Sequence, residues 1–68
     1  MTQLEAKTIR TKLHQLRKRL VLLDAGSVRA ELKNEAYNLE DISPNTTEWV
    51  FRWEARMLIH SIFVDKIH

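Results

Sequence analysis

The chain contains no cysteine. Disulfides are therefore excluded, and so is a zinc site built on thiolates. His14, His60 and His68 do not recur four residues apart, so the sequence offers no histidine pair for a metal on one helix face. No cofactor is expected. Glycine and proline occur once each, at Gly26 and Pro44, too few turn formers for a many-stranded β fold. No run of about 20 apolar residues is present, so no membrane span is expected. The opening Met1-Thr2-Gln3-Leu4-Glu5-Ala6 lacks the basic-then-apolar layout of a signal peptide. The expected location is the cytoplasm. There are no internal repeats.

What remains is a 68-residue chain, 44% hydrophobic and 29% charged. That length makes one domain, 1–68, of marginal stability when alone. With disulfides and metals set aside, oligomerisation or a partner chain is the expected support. The charge is uneven. Residues 1–23 carry +5, residues 24–48 carry −4 and residues 49–68 carry +1, which gives the net +2.

Residues 3–23 are predicted to form an amphipathic helix. Ala6, Ile9, Leu13, Leu16, Leu20 and Leu23 recur at spacings of three and four, which sets them in one stripe. Lys7, Arg10, His14, Arg17 and Lys18 occupy the other side. The seam is also compatible with coiled-coil pairing. Asp24-Ala25-Gly26-Ser27 reads as a break, with Gly26 as a left-handed closing residue and Ser27 as the cap of the next helix. That second helix is predicted over 28–40, with Val28, Leu32, Ala36 and Leu39 as its stripe. The rival is one long helix through Gly26. Asp41 to Thr47 reads as a loop, with a cap at Ser43 before Pro44 or at Asn45 with Glu48. A third helix is predicted over 45–66. The fold class is all-α, a helical hairpin or small three-helix bundle.

The third helix has two apolar faces. With Trp49 at zero and about 100° per residue, Trp49, Trp53, Val64, Met57, Val50 and Ile67 share one quadrant. Phe51, Ala55, Leu58 and Ile62 cluster near the opposite side, with Ile59 and Phe63 beside them. Glu54, Ser61 and Asp65 separate the groups on one side, Arg52 and Arg56 on the other. Both faces are internal if the helix is wedged between two others. The second segment, however, offers a thin stripe against two Trp and two Phe. Contiguous apolar surface left over marks an interaction site. The expectation is that the first helix packs on the Trp49/Trp53/Met57 face while the 24–42 segment lies across one end. Phe51, Ala55, Leu58, Ile59, Ile62 and Phe63 then meet a partner chain.

Catalysis finds no support. There is no Gly-rich phosphate loop, no HExxH, and no acid, base and nucleophile on neighbouring positions. His60 and Ser61 are adjacent and point about 100° apart on a helix. Glu54 and Asp65 are three turns apart, too far to share a proton. The chain is not expected to be an enzyme. His60 falls within the tryptophan stripe and reads as a histidine at the rim of the core. The basic face of the first helix is the competing signal, because Lys7, Arg10, Arg17 and Lys18 can align on phosphates. It carries no aromatic to stack bases, and its charge is offset by the acidic segment, so nucleic acid is not the expected partner.

Val50-Phe51-x-x-Glu54-x-Arg56-x-Leu58-x-x-x-Ile62 resembles the C-terminal helix of the small co-chaperones of bacterial type III secretion, a virulence apparatus. The opening Met1-Thr2-Gln3-Leu4-Glu5, the length and the lack of cysteine are similar too. The matched pattern covers about a fifth of the chain, and here the connection between the matched ends is longer. The resemblance implies a helical hairpin that binds a helical-repeat chaperone, the pair holding a needle subunit monomeric. It places Phe51, Leu58 and Ile62 on the partner-facing or hairpin-packing helix. The expected function is therefore a co-chaperone that stabilises that chaperone by burying an apolar helix face, with the basic first helix steering toward an acidic partner. The alternatives are a homodimeric helical adaptor and a small nucleic-acid-binding regulator using the first helix.

Overall fold

In the computed structural model the described residues are 2–40, 42–44 and 46–68, with the side chains of 35–38 and 40 left aside. They form three helices: α1 (Gln3–Leu20), α2 (Ala25–Glu40) and α3 (Thr47–Ile67). No strand occurs among the described residues. The protein is an all-α helical bundle.

Each helix begins where a short oxygen-bearing side chain satisfies a free amide. Thr2 caps α1 by accepting from the Glu5 amide at 3.1 Å, and the Glu5 carboxylate accepts from the Thr2 amide at 3.2 Å. This reciprocal pair is a capping box. Arg17, Lys18 and Arg19 occupy the last turn, where cations suit the negative end of the helix. The chain then tightens, with the Leu22 amide on the Arg19 carbonyl and the Leu23 amide on the Leu20 carbonyl.

The break between α1 and α2 differs from the sequence expectation. Helix α1 ends at Leu20 rather than 23, and α2 starts at Ala25 rather than 28. Asp24, not Ser27, is the cap: its Oδ1 accepts from the Ser27 amide at 2.7 Å. Gly26 lies in the first turn of α2 and has no positive φ. The physical reason is local. An aspartate three residues before a free amide is a strong cap, and it draws Gly26 into the helix instead of leaving it to close the previous one. The single long helix is likewise overturned.

For α3 the cap is Thr46, whose Oγ1 accepts from the Trp49 amide at 3.1 Å and donates to the Ser43 carbonyl at 2.9 Å. The predicted start at 45 falls on Asn45, which lies outside the described residues, as does Asp41. The Ala36 side chain of the α2 stripe is also outside them.

Helix α3 is the centre of the bundle. It packs along both α1 and α2, while α1 and α2 barely touch each other. The Arg19–Glu31 ion pair, 2.9 Å, spans those two. Thr47 reaches Glu5 at one end, and the Lys66 ammonium donates to the Val21 carbonyl at 3.0 Å at the other. Helices α1 and α3 therefore run parallel. Val28 joins Ile59 and Ile62 in the core, and Leu32 and Lys33 lie beside Arg56 and Trp53. Helix α2 therefore runs antiparallel to α3, alongside it rather than across one end as expected. The body is flattened, 36 × 23 × 15 Å, which leaves one side of α3 uncovered.

The core is small. Among the described residues the buried apolar side chains are Ile9, Leu20, Val28, Ala55, Ile59 and Ile62. Leu16, Leu23, Leu32, Leu58 and Phe63 pack against it. The predicted α1 stripe faces inward, with Ala6, Leu13, Leu16 and Leu23 half-buried alongside Ile9 and Leu20.

Candidate protein-binding face

The two apolar faces of α3 are both present, but the buried one is the opposite of the one expected inside. Ala55, Ile59 and Ile62 are buried, and Phe51, Leu58 and Phe63 are half-buried. All six residues expected to meet a partner therefore form the seam between α3 and its neighbours in the same chain. Trp53 and Met57, expected inside, are 43% and 56% exposed.

Side-chain shape explains the reversal. Ala55 at the middle of the seam lets helix axes approach closely, and Ile59 and Ile62 fill the narrow space beside it. Helix axes packed about 8–10 Å apart leave no place for two indole rings on the line of contact. Leu58 and Phe63 flank this seam at opposite edges, so one arc serves two helices. On the α1 side Phe51 lies under the Lys12 ammonium, 5.4 Å from the ring centroid. The sequence does carry a signal for this arrangement: small and β-branched residues mark the tight seam, and the largest rings mark its outside.

The uncovered face is a ridge with a groove on each side. Trp53 and Met57 form the ridge and line both grooves. The groove toward α1, about 450 Å3, is closed by Leu13, His14, Arg17, Glu54 and Leu58. The groove toward α2, about 430 Å3, is closed by Leu32, Lys33, Arg56 and His60. Trp49 stacks on Trp53 with ring centroids 5.6 Å apart and planes 7° from parallel. The stack extends one turn toward the start of α3 and limits the Trp53 rotamer. His60, expected at the rim of the core, is exposed and faces the α2 groove.

The charge around the ridge is predominantly positive. Arg17, Lys33 and Arg56 border the grooves, against Glu54. No carboxylate among the described residues forms an ion pair with those three cations. Other cations are engaged: Arg19 on Glu31, Arg52 on Glu48 at 3.2 Å, and Lys66 on the Val21 carbonyl. The basic face of α1 also stands in water, with Lys7, Arg10, His14, Arg17 and Lys18 exposed.

Two carboxylates are held below the usual carboxylate range. Glu5 is lowered first by the Thr47 hydroxyl, then by Thr2. Asp24 is lowered by the Ser27 amide and hydroxyl. Both are capping groups in the scaffold and lie away from the ridge. Among the described residues no group of three His, Asp or Glu is placed to hold a metal ion. No described helix is long and apolar enough to cross a membrane.

Comparison with protein families, curated proteins and solved structures finds no match.

Proposed function

We propose that this chain is a protein-binding adaptor and that its exposed α3 face is where the partner docks. The observation that carries this reading is the exposure of Trp53 and Met57 together on one face, flanked by apolar grooves. Aromatic and methionine side chains are enriched in interface cores, and a contiguous apolar surface of this kind is uncommon on a self-sufficient small domain. Covering it adds apolar burial to a core of few side chains, so partner and fold support each other.

The resemblance of the α3 pattern to type III secretion co-chaperones supplies the partner class. On this reading the chain binds a helical-repeat chaperone in the cytoplasm and steadies it while it shields a needle subunit. Phe51, Leu58 and Ile62 then hold the three-helix bundle together, and the Trp53/Met57 ridge meets the chaperone. The mechanism is passive and requires no chemistry from either chain.

The test is a pull-down from the native host with the tagged chain. A helical-repeat chaperone should be recovered, and Met57→Asp should abolish its recovery. Recovery of bait alone would sink the co-chaperone reading.

A further inference from the structure

We infer that the occupant of the Trp53/Met57 ridge is an acidic amphipathic helix of another protein, laid along α3 with carboxylates on both of its flanks. The inference rests on the adaptor reading and adds the chemistry of the partner's contact surface.

Three observations carry it. The ridge is long and narrow: Trp53 and Met57 are one turn apart on α3, with Trp49 stacked one turn before them. A ridge with two parallel grooves accepts the apolar stripe of a helix, whose residues at i, i+3, i+4 and i+7 straddle it. The cations border both sides. Arg17 borders the α1 groove, where Glu54 also stands, while Lys33 of α2 and Arg56 of α3 border the α2 groove from its two sides. None of these three is paired with a carboxylate among the described residues. Glutamates flanking an incoming apolar stripe would find partners on either side, and glutamate suits a helix surface.

The same charge argues against a second copy as occupant. Pairing two copies through this face sets one cationic rim against another, with one Glu54 per copy to offset it. Like charges brought together at an interface oppose association.

The experiment titrates the full chain into two fluorescently labelled synthetic helices of about 18 residues, long enough to hold a helix. Both carry the same leucine stripe; one has Glu on its flanks and the other Lys. Fluorescence anisotropy should show the Glu helix binding about tenfold or more tightly than the Lys helix at low salt, with the gap narrowing at high salt. Met57→Asp should abolish binding of the Glu helix. The double variant Lys33→Glu/Arg56→Glu should reverse the preference toward the Lys helix. A reversal is a gain of binding that misfolding cannot produce.

Equal binding of the two helices, binding of neither, or a Met57-dependent dimer of the chain would each overturn the inference. The outcomes also separate it from the adaptor reading. A chaperone recovered equally well by the native chain and the double variant leaves the function standing and removes this assignment. Charge-selective, reversible peptide binding with an empty pull-down leaves this assignment standing and removes the co-chaperone function.

Discussion

The Thr47 hydroxyl donates to the Glu5 carboxylate, tying the first turn of α3 to the first turn of α1. Glu5 is already half of the α1 capping box, so a single carboxylate both starts one helix and positions another. Near the opposite end, Asp24 caps α2 through the Ser27 amide. Both carboxylates sit below their ordinary range, Glu5 chiefly through Thr47 and Asp24 chiefly through Ser27. A lowered folded-state pKa adds stability above the unfolded value and loses it as pH falls through the folded one. The chain should therefore lose stability progressively from about pH 4 downward. Urea midpoints measured across that range should fall in the native chain. They should fall less in Glu5→Gln/Asp24→Asn, which should also be weaker at neutral pH. An unchanged acid limb in the double variant would dismiss these caps as its source.

Gly26 offers a sharper test of the α1–α2 junction. A Cβ built there meets only Asp24 Oδ1 at 3.6 Å, an ordinary contact, and φ is not positive. Gly26→Ala should therefore stabilise by about 0.4–1 kcal/mol, mainly by restricting the unfolded chain. Thermal unfolding should show a rise of a few degrees. A fall would mean that Gly26 does close α1 in the left-handed conformation.

Ile59 is fully buried at the meeting point of the core. Ile59→Ala should cost about 2–5 kcal/mol. A domain of this length has a net stability of the same order, at about 0.05–0.15 kcal/mol per residue. The variant should be largely unfolded by circular dichroism, while Ile59→Val should stay folded with a loss of about 0.5–1.5 kcal/mol. A folded, barely weakened Ile59→Ala would contradict the position of the core.

The reversed roles of the two α3 faces can be checked directly. Met57→Asp places a charge on the exposed ridge and should change stability by no more than about 0.5 kcal/mol. Ile62→Asp places one in the buried seam and should abolish folding. If Met57→Asp unfolds the chain and Ile62→Asp does not, the ridge is internal after all. Leu58→Asp is a poor binding probe for the same reason, because Leu58 packs on the core.

Most of the secondary structure is legible in the sequence. The Leu seam of α1, the Pro44 loop and the length of α3 all follow from spacing and breakers, within a few residues of the observed bounds. The junction is harder to read because Asp24, Gly26 and Ser27 are each competent cap residues, and spacing alone ranks them poorly. The two apolar faces of α3 are legible residue by residue. Ranking them by bulk fails, because the largest rings, Trp49 and Trp53, stack outside the tight seam instead of filling it.

Helicity, freedom from disulfides and an excess of apolar surface along the last helix are written into the chain itself. They depend on period, composition and capping, which act within a few residues of one another. Which face of α3 turns inward is settled by packing alone. It depends on how closely two other helices can approach, and Ala55, Ile59 and Ile62 allow an approach that Trp53 and Met57 would block. The gathering of Arg17, Lys33 and Arg56 around one ridge is likewise a product of packing, since the three come from three different helices.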